Sequence, residues 1–279
     1  MDEAKIKEYN RIAEEINKNS GPFRYDDILW PPMPGIYPDP ERKFQEIRDL
    51  ECRESDVFVC SFPKTGTNWT HEVLSMLLCQ STEYNLTNPS NTFLEVLSDK
   101  EKVKKMESPR LFITHVPFKY LPSQLRHGKG KIVYVQRNPK DVFVSYFNFY
   151  KSKATLGKEM KWEDFYEQTI LGEESLYGSW FTYTQEWEKE LNNENILSVY
   201  YEDMKRDLAG SITRFAKWLN ISCTASFIQE VADKCEFDNL KKNRFDPTAL
   251  LNQSDDKTSL FRKGQVGDWK NWFTVSQNE

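Results

Sequence analysis

The stretch Val57-Phe58-Val59-Cys60-Ser61-Phe62-Pro63-Lys64-Thr65-Gly66-Thr67-Asn68-Trp69 constrains what the rest of the chain can build. A short apolar, β-rich run stops at Pro63. A small-residue loop with one lysine follows, and an apolar-periodic segment then runs from Trp69 to Leu78. Strand, tight loop and helix N-terminus in that order aim backbone N–H groups and the positive end of a helix dipole at one spot, which suits a phosphate. Gly66 permits close backbone approach, and Thr65 and Thr67 offer short hydroxyl donors. The spacing is not that of a Walker A loop, because Lys64 precedes Gly66 and follows Pro63. Taken alone, the loop also fits an ordinary strand–turn–helix with an exposed lysine.

Further apolar runs at Arg110–His115, Lys131–Gln136 and Ile196–Tyr201 predict strands. Segments 41–50, 93–106, 141–151, 162–170, 179–191 and 209–219 predict helices. Strands separated by helices imply an α/β fold: a single domain with a central parallel sheet flanked by helices and a phosphate-binding strand–loop–helix. At 279 residues nothing forces a second domain, so the expected unit is 1–279. Residues 1–50 form its N-terminal helix (2–18) and a Pro-rich segment whose aromatic residues pack on the domain or lid a pocket. Residues 245–263 read as a long polar loop.

Ligands of such sheets lie beyond the C-terminal strand ends, where the sequence places Lys64, His115, Arg137 and Tyr201. His115 at that mouth suits a general base or a histidine that only hydrogen-bonds a neighbouring loop. Arg137 with Ser145 about two helical turns on, and Arg262-Lys263-Gly264, suit a phosphate clamp or solvated cations equally well. Three basic points around one phosphate loop suggest a ligand with phosphates at two positions.

The net charge of −5 does not suggest a nucleic-acid partner. Five cysteines without a C-x-x-C pair read as reduced thiols, with no metal site and no disulfide frame. With no apolar run long enough for a signal peptide or membrane span, the expectation is a cytoplasmic protein without a membrane partner.

Several motifs in order resemble the cytosolic sulfotransferase family. Pro63-Lys64-Thr65-Gly66-Thr67-Asn68-Trp69 is similar to its 5′-phosphosulfate loop, Thr114-His115-Val116-Pro117 to its catalytic-histidine segment, and Arg137-Asn138-Pro139-Lys140-Asp141 with Val144-Ser145-Tyr146 to its 3′-phosphate segment. Tyr201-Glu202-Asp203-Met204, Phe261-Arg262-Lys263-Gly264 and Gly267-Asp268-Trp269-Lys270 complete the set, and Lys270 to Glu279 fits the family's K-x-x-x-T-V-x-x-x-E dimerisation motif.

The resemblance implies sulfonate transfer from 3′-phosphoadenosine 5′-phosphosulfate (PAPS) to a hydroxyl or amine of a small, aromatic or apolar acceptor, without a metal. It implies that Lys64, Thr65, Gly66, Thr67 and Asn68 grip the 5′-phosphosulfate, with Lys64 stabilising the leaving phosphate. Arg137, Ser145, Arg262, Lys263 and Gly264 would hold the 3′-phosphate. Trp69, Tyr201, Cys235 and Phe237 would face the adenine, His115 would act as base, and Phe149 would line the acceptor pocket. A homodimer through Lys270–Glu279 is implied as well.

Three positions depart from the family pattern. Ile113 stands where many members have a lysine, and Cys235 where a threonine is usual. The chain stops at Glu279, where members continue for a further short segment, so a truncated C-terminus is expected. Ile113 keeps open a runner-up, a member that binds the nucleotide without efficient transfer; a kinase or ATPase is disfavoured by the loop spacing.

Overall fold

The computed structural model describes residues 21–33, 35–37, 39–84, 92–97, 100–152, 159–243 and 262–279. The helix expected at 2–18 and the loop expected at 245–263, up to residue 261, lie outside them.

Four strands, β3 (Val57–Cys60), β4 (Leu111–Thr114), β5 (Lys131–Gln136) and β6 (Ile196–Tyr200), form a parallel sheet in the order β4-β3-β5-β6. Every residue of β3 and β4 is buried, as a parallel sheet covered on both faces requires. Alternation sorts the side chains. Val57, Val59, Leu111, Ile113, Val133, Val135, Leu197 and Val199 face the helices Thr67–Cys79 and Leu208–Leu219. Phe58, Cys60, Phe112, Ile132, Tyr134 and Ile196 join the aromatic layer that includes Trp30, Phe44, Tyr146, Phe165 and Trp187. After β3 the chain goes to one side for β4 and to the other for β5, so the order reverses between β3 and β5. A ligand crevice is expected at the carboxyl ends of those two strands.

An antiparallel hairpin of β1 (Phe23–Tyr25) and β2 (Ile28–Trp30) was not evident in the sequence. Its two-residue turn, Asp26-Asp27, takes left-handed angles (φ 52° and 59°), which Asp tolerates better than most residues. Leu29 bridges to Leu176 and Trp30 is fully buried, so this segment packs on the domain.

The helix expected over 93–106 is confined to Lys100–Lys105. Residues 92–97 instead run beside β4: Phe93 bridges to Ile113, whose N–H donates to the Thr92 carbonyl (2.8 Å) and whose carbonyl accepts from Leu94 N–H (3.1 Å). Unpaired donors and acceptors on β4's outer edge are satisfied this way, and that outweighs local helical spacing. The helix expected at 162–170 is one α-turn, Trp162–Phe165, continued as a π-helix, Tyr166–Leu171. Helices Ala225–Lys234 and Phe237–Asn243 add to the expected set. No helix among the described residues is long and apolar enough to cross a membrane.

At the opposite end of the sheet Arg110 and Asp56 form a buried pair. Arg110 Nε donates to Asp56 Oδ1 (2.8 Å), and Asp56 Oδ2 also accepts from Arg53 N–H (2.8 Å). The pair ties the starts of β3 and β4 together.

Candidate active site

The loop after β3 is shaped from within. Thr65 Oγ1 donates to the Phe62 carbonyl (2.6 Å), and the Ser61 and Thr67 hydroxyls lie 2.5 Å apart. The donor of Thr65 is thus spent on the loop, and the hydroxyls expected to meet an anion largely define loop shape. Lys64 sits at φ 70°, a strained angle for a residue with a Cβ, costing about 1–3 kcal/mol. Gly66 has φ 116°, and a Cβ there would come within 2.8 Å of the Tyr201 ring, so two constraints require glycine. Gly66 also caps the helix Thr67–Cys79 without a side-chain bond, which leaves the first-turn amides without a capping side chain.

Across the crevice Arg137, just beyond β5, donates from Nη1 to the Lys64 carbonyl (3.0 Å) and from Nη2 to the Gln265 carbonyl (3.3 Å). Its guanidinium lies 4.2 Å from the centre of the Tyr201 ring. Its buried Nε–H has no acceptor among the described residues. One arginine therefore joins the loop after β3, the Tyr201 ring and the C-terminal segment while keeping a donor in hand.

The C-terminal segment is latched by a carboxylate. Asp141, buried in the first turn of the helix Pro139–Ser152, accepts from Gly267 N–H (2.7 Å) and Trp269 N–H (3.0 Å). Asp268 in turn pairs with Arg262 Nη2 (2.6 Å) and Lys263 Nζ (2.8 Å). Burial alone would raise the Asp268 carboxyl, but bonds from Lys263, Arg262 and Asn271 outweigh it and bring it to about 2. Gly264 packs on Phe237 so closely that a Cβ would meet the ring at 2.1 Å. Asp141, Ser145 and Phe149 recur at four-residue spacing, on one face of their helix. That row runs from the latched segment to Lys64, whose Nζ lies 4.6 Å from the Phe149 ring centre.

Of the expected aromatic group, Trp69 and Tyr201 are brought together. Trp69 meets Tyr201 edge-on at 5.2 Å and donates from Nε1 to the Cys235 carbonyl (2.8 Å). Cys235 reaches Trp69 through its carbonyl, whereas its thiol packs 3.8 Å from the Met76 sulfur.

His115 lies just past β4, with Phe93 (5.5 Å) and Tyr177 (5.4 Å) edge-to-face on its ring. Its Nδ1 sits 2.8 Å from the Ser61 carbonyl. A carbonyl only accepts, so Nδ1 carries the proton and Nε2 is left with its lone pair. Burial pushes the imidazole down to about 4; the Ser61 bond pulls it up and the nearby Lys64 charge pushes it down further. A neutral imidazole near neutral pH is the form a general base needs.

Sequence reasoning missed Glu95, Tyr177 and the latch made by Asp141. The one signal for Glu95 was a lone carboxylate within the apolar run Phe93-Leu94-Glu95-Val96-Leu97. Ile113, where many members of the resembled family have a lysine, is buried in the apolar layer against the helix Thr67–Cys79.

Comparison with known proteins gives the family. A family model described as the sulfotransferase domain matches residues 54–279. The amine sulfotransferase of Oryctolagus cuniculus is 35% identical over 249 residues, covering 84% of this chain and 81% of the relative. Sulfotransferase 6B1 of Homo sapiens is 31% identical over 285 residues, covering 100% of this chain and 90% of the relative. Among solved structures, mouse sulfotransferase SULT7A1 complexed with PAP superposes with a TM-score of 0.77 at 31% identity, covering 93% of this chain and 91% of that one. The loop after β3, the arginine that meets it and a neutral histidine at the strand ends thus sit in a chain that belongs to the sulfotransferase family.

Proposed function

We propose that this enzyme transfers the sulfonate of PAPS to a hydroxyl or amine of a small, aromatic or apolar acceptor, with His115 as general base. The observation that carries this reading is the Nδ1 contact of His115 with the Ser61 carbonyl, which leaves Nε2 as the basic atom. The fit to a bis-phosphorylated nucleotide is supported by two features of this chain, the first-turn amides of Thr67–Cys79 without a side-chain cap and the unmatched Nε–H of Arg137. A solved relative, mouse sulfotransferase SULT7A1, is complexed with PAP.

In this reading Lys64, Thr65, Gly66, Thr67 and Asn68 hold the 5′-phosphosulfate, largely through main-chain N–H groups and the Lys64 ammonium. Arg137, Ser145, Arg262, Lys263 and Gly264 hold the 3′-phosphate, and Trp69, Tyr201, Cys235 and Phe237 enclose the adenine. PAPS supplies an electrophilic sulfur on a good leaving group. His115 Nε2 accepts the acceptor's proton as the new S–O or S–N bond forms. Lys64 and the helix N-terminus offset the charge left on the 5′-phosphate. Most of the catalytic work is alignment and fixed charge, and the cations are side chains, so the reading needs no metal.

Phe149, Phe93 and Tyr177 around Lys64 and His115 support an apolar acceptor. Amines belong among the candidates because one relative is named for them. The test is transfer of labelled sulfonate from PAPS to phenols, aliphatic alcohols, amines and charged sugars. Phenols or apolar alcohols and amines should lead; a clear preference for charged sugars would refute the acceptor class.

The same reading takes 1–279 as one sulfotransferase domain working in the cytoplasm. It also proposes a homodimer through Lys270–Glu279, where Val275, 79% exposed, opens a helical turn capped by Thr274 and Gln277. A monomer by sedimentation at micromolar concentration would remove the dimer.

A further inference from the structure

Glu95 is a fully buried carboxylate at the back of the site. The segment that carries it is held against β4 by the Thr92 and Leu94 bonds to Ile113, which sets Glu95 beside the point where β4 ends. There Glu95 Oε1 accepts the main-chain N–H of His115 (2.7 Å) and Oε2 accepts the Thr114 hydroxyl (3.0 Å). The same hydroxyl accepts from Val116 N–H (3.2 Å). One carboxylate therefore organises the main chain of Thr114, His115 and Val116.

A strand end needs an acceptor for its next N–H, but a neutral oxygen would serve at far lower desolvation cost than an ionised one. The groups facing Glu95 do not reduce it to a partner in an ion pair. Lys43, from the helix Pro40–Arg48, is the cation acting on it, and the Lys43 ammonium itself donates to the Leu97 carbonyl. His115, Cys60, Tyr177 and Tyr183 are the other titratable groups around it, from the end of β4, from β3, the turn at 177 and the helix Trp180–Glu188. Burial pushes the carboxyl up to about 7, against bonds from His115, its own main chain and Thr114 and the charge of Lys43. Both protonation states are thus reached near neutral pH. They hold the strand end differently: the carboxylate accepts both bonds, whereas the acid must turn one oxygen into a donor and reverse the Thr114 hydroxyl.

We infer that Glu95 is a positioning residue for sulfonate transfer, whose ionised carboxylate fixes the main chain at Thr114–Val116 and so aims the His115 imidazole at the acceptor. The inference rests on the reading of His115 as the base. The imidazole has two anchors, the Ser61 carbonyl at Nδ1 and its own main chain on Glu95. Loosening the second tilts Nε2 away from the acceptor without touching the nucleotide loop.

The experiment compares wild type, Glu95→Gln and His115→Ala for kcat and for KM of PAPS across pH. Glu95→Gln should lower kcat about tenfold, the scale of one charge-assisted hydrogen bond, with KM for PAPS unchanged. Wild type should show an acid limb in kcat near pH 7 that Glu95→Gln lacks, a change that a purely structural role would not produce. Wild-type kcat and an unchanged acid limb in Glu95→Gln, alongside an inactive His115→Ala, would overturn the role of Glu95 alone. Full activity in His115→Ala would overturn the base reading and this inference with it. Should Glu95→Gln not fold, Thr114→Val removes one bond to the carboxylate. It should then move the acid limb upward, and an unmoved limb would overturn the inference.

Discussion

Replacing Asp141 with alanine should unlatch the segment that carries Arg262 and Lys263 while leaving the sheet intact. The carboxylate is buried and accepts two main-chain N–H groups at 2.7 and 3.0 Å, from Gly267 and Trp269. Hydrogen bonds to a charged group contribute about 1.5–3 kcal/mol each. The half-buried turn lets water replace part of that, so we take about 2 kcal/mol for the pair. A carboxylate in the first turn of its helix adds about 0.3–1 kcal/mol of dipole stabilisation, also lost. Trp272 and Phe273 still pack on Trp162 (5.6 and 5.1 Å), so the far end of the segment stays docked and the loss falls on Arg262 and Lys263.

If those cations hold the 3′-phosphate as proposed, up to about 30-fold weaker PAP binding by titration calorimetry is expected. Asp141→Asn, which keeps one acceptor, should lose less. In a double-mutant cycle with Arg262→Ala the two losses should fall short of additive, because both act through one segment. Binding within twofold of wild type in Asp141→Ala would refute the latch.

Other consequences follow from single contacts. Arg110→Ala leaves Asp56 buried without its charge partner and should cost about 3–5 kcal/mol, or about 10 °C in melting temperature at this chain length, read by calorimetry. Gly264→Ala places a methyl where the Phe237 ring lies, 2.1 Å away, at a φ of 62°, and should both raise the KM for PAPS and lower the melting temperature. His115 has a folded value of about 4 against an unfolded value near 6.5, so between those limits the unfolded chain binds more protons and stability rises with pH. Relative to wild type, His115→Ala should lose that part of the rise between about pH 4 and 6.5, measured by denaturant melts; an unaltered profile would contradict the buried, neutral imidazole.

The parts of the fold set by local chemistry were legible in the sequence. Val57–Cys60 and Ile132–Val135 are buried on both faces and read as continuous apolar runs, and Pro63-Lys64-Thr65-Gly66 punctuates the strand end. The site residues at strand ends followed from the parallel-sheet rule. What escaped was set by tertiary partners. Phe93–Leu97 has helical spacing, yet an open strand edge at Ile113 captures it. Glu95 gained its place from that capture. Asp141 was visible as an acid at a helix start, but its partners lie 126 and 128 residues away. The Thr65 and Thr67 hydroxyls looked free because their acceptor and partner, the Phe62 carbonyl and Ser61, belong to a loop shape that local sequence does not reveal.

The central claim is that His115, neutral and held by Ser61, takes the acceptor's proton during sulfonate transfer. Its most direct test is single-turnover transfer of labelled sulfonate from PAPS to the best phenol or alcohol found, in wild type and His115→Ala. PAP affinity is measured on the same samples. Transfer in wild type that falls by at least about 100-fold in the variant, the scale of general-base catalysis, with PAP affinity retained, is the predicted result. Transfer at the wild-type rate in His115→Ala would contradict it.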